Sequence, residues 1–135
     1  GVKEASGSVA QMMEVIGTVK AKNPDFAVLS GDDALTLPLI AAGGDGIISV
    51  ASNMIPALMH ELATACLEGD FKKGREIHYR LAPFFKAEFC DGNPGSIKYA
   101  MNCKKMPAGS LRLPLVEVTA DAKKIIEKAI KDCKL

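Results

Sequence analysis

Hydrophobic and polar positions in the first half of the chain alternate between two patterns. Val2–Ser6 is β-like, and Phe26–Ser30 and Gly46–Val50 are almost continuously apolar, as expected of strands buried on both faces. Between them the apolar residues recur at helical spacing. Ser8 offers a cap for a helix over Val9–Lys20, with Met12, Met13, Val15, Ile16 and Val19 as its apolar face. Asp32 and Asp33 offer caps for a helix over Ala34–Ala42, which requires Pro38 to sit near the first turn. A third helix runs over Pro56–Glu68, with Pro56 suited to its first turn. Asn23-Pro24-Asp25 and Gly43-Gly44-Asp45 are turns.

Strand starts near residues 2, 26 and 46 give a strand–helix repeat of roughly twenty residues, which predicts right-handed crossovers and a parallel sheet. Such units belong to a (β/α)8 barrel or to a doubly wound sheet. The barrel is favoured because no G-x-G-x-x-G follows a strand. Polar residues also stand at the strand ends (Ser6, Ser30-Gly31-Asp32, Ser49), where barrel sites are built. After Gly69 the pattern is helical only. One long helix is expected over Asp70–Cys90, with Phe71, Ile77, Leu81, Phe84, Phe85 and Phe89 as its apolar side and Pro83 as a kink. Ser96 is expected to cap a helix over Ile97–Lys104. Thr119 should cap a last one over Ala120–Asp132, with Ile125, Ile126, Ala129 and Ile130 on one face. The organisation read from this is an α/β part over residues 1–69 and a three-helix domain over residues 70–135.

Composition narrows the function classes. The 135 residues carry a net charge of +1 with both signs interspersed, have no Trp and only 5% aromatics, so neither a basic face nor a base-stacking surface points to nucleic acid. No apolar run approaches the ~20 residues of a membrane span, and neither a membrane span nor a charged-then-apolar leader is expected. Cys66, Cys90, Cys103 and Cys133 are widely spaced and lack C-x-x-C or nearby His, so no metal site is expected. They read as reduced, mostly buried thiols of a cytoplasmic protein.

Lys3 is the residue that invites chemistry. Alternation along a strand puts Val2, Glu4 and Ser6 on one face and Lys3 and Ala5 on the other, so a local Lys3–Glu4 pair is not dictated. Facing a barrel interior, a desolvated lysine is a nucleophile toward a carbonyl, and the iminium it forms is an electron sink. The other readings are a strand lysine facing water or one paired with a distant carboxylate. Ser30-Gly31-Asp32-Asp33 offers backbone groups to a ligand, with Gly31 permitting close approach; it equally suits plain helix capping. Ala42-Gly43-Gly44-Asp45-Gly46 precedes a strand, so it is a tight turn rather than a phosphate loop. His60 and His78 have no ligand-spaced partner, and the lysine-rich last helix alternates with acids as a solvated face does.

The stretches GVKEASGS, LSGDDALTLPLIAAGGDGIISVASN and DGNPGSIKYAM…LRLPL together resemble the dihydrodipicolinate synthases, in the class I aldolase superfamily that includes sialic acid lyase. The resemblance covers the whole chain in order. It implies the C-terminal part of a TIM barrel, strands six to eight, followed by the family's helical domain. It further implies that Lys3 forms a Schiff base with pyruvate and that the derived enamine adds to aspartate semialdehyde, with no cofactor. Gly31 would lie beside the second substrate, and the Ile48 carbonyl would approach the pyruvate adduct. A homo-oligomer is expected. The sequence departs from the family after Asn93-Pro94, where it continues Gly95-Ser96-Ile97-Lys98.

The resemblance also implies that the proton-relay tyrosine and threonine, the carboxylate-binding arginine and the lysine-inhibitor site lie before strand six, outside these residues. On that reading the chain alone is inactive, and its three strands leave two open sheet edges that another piece must complete. Two rival readings remain: a sibling aldolase acting on sialic acid or a 2-keto-3-deoxy sugar acid, and a non-catalytic oligomerisation module.

Overall fold

Three short parallel strands, β1 (Val2–Glu4), β2 (Val28–Ser30) and β3 (Gly46–Ile47), form one sheet in the order β1-β2-β3 in the computed structural model, which describes residues 1–135. The register pairs Val2, Lys3 and Glu4 with Val28, Leu29 and Ser30, and pairs Leu29 and Ser30 with Gly46 and Ile47. Each strand is followed by helix: α1 (Val9–Val15) running on into a π-helical turn (Ile16–Lys20), α2 (Thr36–Ala41) after a 3-10 turn (Asp33–Leu35), and α3 (Pro56–Leu67) after a 3-10 turn (Ala51–Asn53). Then come α4 (Phe71–Ala87), α5 (Gly95–Cys103) and α6 (Ala120–Asp132). The succession of elements is the one the apolar pattern predicts.

The local devices are those of the side chains at the boundaries. Ser8 accepts from the Gln11 amide (3.2 Å), Asp70 from the Lys73 amide (3.0 Å), and Thr119 from the Ala122 amide (3.3 Å). Pro38 is the third residue of α2, within the first turn, where a missing N–H costs nothing. Pro83 lies inside α4 on its exposed side, and the helix continues to Ala87. Ser96 corrects the expectation: α5 begins at Gly95, and the Ser96 hydroxyl is buried and accepts from the Asp91 amide (3.1 Å) instead of capping.

The strands are shorter than their apolar runs. Phe26 and Ala27 precede the ladder, although the Val2 amide still donates to the Ala27 carbonyl (2.8 Å). β3 stops at Ile47 because the next residues are drawn off the sheet line: Asp33 accepts from the Ser49 hydroxyl and from the Val50 (2.8 Å) and Ala51 (3.2 Å) amides.

One continuous apolar core runs from Met12 in α1 through Val28, Leu39 and Leu62 to Phe84, Ile126 and Cys133. Three expected faces need correction. Met13 and Val19 are exposed, because α1 buries only the side carrying Met12. Ile125 is exposed, and α6 packs through Ala122, Ile126 and Ala129. Phe89 is exposed while its neighbour Glu88 is fully buried. Of the thiols, Cys66 and Cys133 are buried and Cys90 and Cys103 exposed, so the expectation of mostly buried cysteines holds for half of them. α6 is fastened to α4 by Arg80, whose Nε donates to the Cys133 carbonyl (3.1 Å).

Candidate active site

The register decides which residues share a face of the sheet. Lys3, Leu29 and Gly46 lie side by side, and alternation adds Ala5, Gly31 and Ile48 two residues further along each strand direction. Val2, Glu4, Val28, Ser30 and Ile47 form the opposite face, where Glu4, Val28 and Ser30 are buried. The Lys3 face is open: Lys3 and Ala5 are exposed, and Ile48 retains 45% exposure. Lys3, Gly31 and Ile48, singled out from sequence on three separate segments, thus stand on one uncovered face toward the C-terminal ends of the strands.

The contacts between them are close. The Gly31 amide donates to the Glu4 carbonyl (2.7 Å), and the Ile48 amide to the Ser30 carbonyl (2.8 Å), so both ladders extend one step beyond the strands. A Cβ on Gly31 would come within 3.0 Å of Lys3 Cε. No carboxylate of the chain forms an ion pair with Lys3. Glu4 points the other way, and its Oε1 accepts from the Ser6 amide (3.1 Å) and Gln11 Nε2 (3.0 Å). The expectation of a desolvated Lys3 is not met by these residues, among which Lys3 is exposed. No His, Cys, Asp or Glu stands among the strand residues of this face that could hold a metal.

The remaining candidates lie elsewhere. Ser30 is buried behind the sheet, its hydroxyl donating to the Asp32 carbonyl (2.7 Å). Asp32 caps the following 3-10 turn through the Ala34 amide (2.9 Å), as the capping reading expected. His60 is exposed on α3; His78 is half-buried on α4, where burial depresses its pKa. Tyr79 is exposed on α4, and Tyr99 donates to Glu127 of α6, so neither tyrosine reaches the Lys3 face.

The sequence matches the dihydrodipicolinate synthetase family over residues 1–133. The chain belongs to that family. A 4-hydroxy-tetrahydrodipicolinate synthase from Protochlamydia amoebophila is 56% identical over 119 residues, covering 88% of this chain and 40% of the relative. The crystal structure of the dihydrodipicolinate synthase from Thermotoga maritima superposes with a TM-score of 0.94 at 37% identity, over 99% of this chain and 45% of that one. A chloride-inhibited dihydrodipicolinate synthase from Acinetobacter baumannii, complexed with pyruvate, superposes with a TM-score of 0.90 at 30% identity, over 99% and 45%. The chain thus spans less than half the length of these family members.

Two buried acidic residues take structural positions that the sequence reading did not assign to them. Asp33, read as one of two caps, instead holds the segment that follows Ile48. Glu88 was passed over as part of a helix end, yet it is fully buried with neither carboxyl oxygen partnered by an N–H or hydroxyl donor. Its spacing held the signal: it follows Leu81 by seven and Phe84 by four residues, on the buried stripe of α4.

Proposed function

We propose that the chain supplies the Schiff-base half of a synthase that condenses pyruvate with aspartate semialdehyde to 4-hydroxy-tetrahydrodipicolinate. On this reading residues 1–69 are strands six to eight of a (β/α)8 barrel with their helices, and residues 70–135 the helical domain behind them. The observation that carries it is the convergence of Lys3, Gly31 and Ile48 on one open sheet face in a member of this family.

Lys3 Nζ, as the free amine, attacks the keto carbon of pyruvate. The carbinolamine loses water to give the iminium, and loss of a methyl proton gives the enamine. The enamine carbon adds to the aldehyde of aspartate semialdehyde, forming the carbon–carbon bond and regenerating the iminium. Attack by the substrate's own amine then closes the ring and releases Lys3. Gly31, lacking a side chain, lets Lys3 and Ala5 pack against its strand and leaves its backbone beside Lys3 for the second substrate, and the Ile48 carbonyl, which no donor of the chain occupies, is left for the adduct. The proton acceptor for the methyl group and the groups binding the carboxylates come from the part that covers the face. That part also desolvates Lys3 and pairs the open strand edges, in an oligomer of the completed barrel.

The assay that tests this is condensation of pyruvate with aspartate semialdehyde by the assembled enzyme, run beside sugar aldehydes as alternative acceptors. Turnover with aspartate semialdehyde alone is expected; turnover only with sugar aldehydes would overturn the assignment in favour of a sibling aldolase.

A further inference from the structure

Glu88 ends α4 with its amide donating to the Phe84 carbonyl (2.9 Å) and its side chain fully enclosed. Neither of its oxygens receives a hydrogen bond. An ionised carboxylate in that position would be a buried charge with no donor and no counter-ion, a state that buried carboxyls escape by holding a proton. The 3-10 turn that begins with Asp33 packs against α4, and the charged groups that bear on Glu88 are Asp33 and Asp32 of that segment. The other elements packed against α4, namely α2, α3 and α6, bring no lysine, arginine or histidine to its carboxyl. Burial first, then the charge of Asp33 and a hydrogen bond with it, push the Glu88 carboxyl up to about 10.

Asp33 is the complementary partner. It too is fully buried, and it already accepts the Ser49 hydroxyl and the Val50 and Ala51 amides. A carboxylate offers about four acceptor positions, so three donors leave one for the single O–H of a neutral carboxyl. We infer that Glu88 is a positioning residue: a neutral carboxylic acid that donates its proton to Asp33 and so ties helix α4 to the Ser49–Ala51 segment directly after Ile48. Its effect on catalysis rests on the function proposed above; its protonation state does not.

The test separates the two. Infrared spectra of the chain in H2O and D2O at neutral pH, without substrate, should contain the carbonyl stretch of a protonated carboxylic acid, and Glu88→Gln should lack it. In the assembled enzyme Glu88→Gln, whose amide still donates to Asp33, should keep kcat and KM within about twofold of the parent. Glu88→Leu, which leaves Asp33 without its fourth donor, should lose about tenfold or more in kcat while remaining folded. Absence of the carboxylic acid band at neutral pH would overturn the inference, whatever becomes of the Schiff-base chemistry. Equal damage by Gln and Leu would overturn the donor role. A parent that retains the band but forms no pyruvate adduct would overturn the positioning role together with the proposed function.

Discussion

Gly31 lies directly against the stem of Lys3: a Cβ at position 31 would stand 3.0 Å from Lys3 Cε and 2.6 Å from the Ala5 Cβ. The close approach of Lys3 and Ala5 to the neighbouring strand therefore depends on the absence of a side chain at position 31. Gly31→Ala must push Lys3 and Ala5 away and strain the Gly31–Glu4 backbone bond. The expected outcome is a loss of about 1–3 kcal/mol in stability and slower adduct formation with pyruvate. Chemical denaturation and the rate of adduct formation check the two parts separately.

Asp33 is expected to matter more for the loop than for the helix it precedes. Asp33→Ala leaves the Val50 and Ala51 amides without their acceptor in a buried setting, at a cost of about 1–3 kcal/mol for each unsatisfied donor. Hydrogen exchange at those two amides should accelerate before the α2 amides do. Asp32→Ala removes only the cap to the Ala34 amide and should cost about 1 kcal/mol.

The Glu88 proton gives stability a definite pH dependence. Its folded value of about 10 lies above the ordinary glutamate value of ~4.3, so the folded chain holds a proton that the unfolded chain releases between those limits. The contribution is fully present below the unfolded value. It is lost as pH rises toward about 10, at about 1.4 kcal/mol per pH unit. Glu88→Gln cancels this slope, so its stability relative to the parent should rise with pH. Urea unfolding of both proteins across neutral and mildly alkaline pH measures the gap; a constant gap contradicts the shared proton.

Much of the architecture is legible in the sequence because its causes are local. Ser8 and Thr119 cap the helices they precede, and the apolar runs over 26–30 and 46–50 contain β2 and β3. Strand length was not legible, because β3 is cut short by a carboxylate from another segment, Asp33, capturing the Val50 and Ala51 amides. The helix faces were only partly legible. Met13 and Ile125 fit an apolar stripe by type but lie outside the arc that meets a neighbouring element. The Glu88–Asp33 pair joins positions that only the packing of α4 over the sheet ends brings together. The Lys3, Gly31 and Ile48 face was legible in its members through the family resemblance. Its openness follows from the missing strands that the same resemblance implies, since the chain spans less than half of its relatives' length.

If Lys3 is the carbonyl nucleophile, borohydride reduction in the presence of pyruvate should trap it. Lys3 is exposed and without an ion-pair partner in the chain, so in this chain Lys3→Ala should change stability by no more than about 0.5 kcal/mol. Peptide mass mapping of the reduced, assembled enzyme should place the pyruvyl adduct on Lys3 and on no other lysine, and Lys3→Ala should fold normally and form none. An adduct on a different lysine, or its persistence in folded Lys3→Ala, would contradict the account.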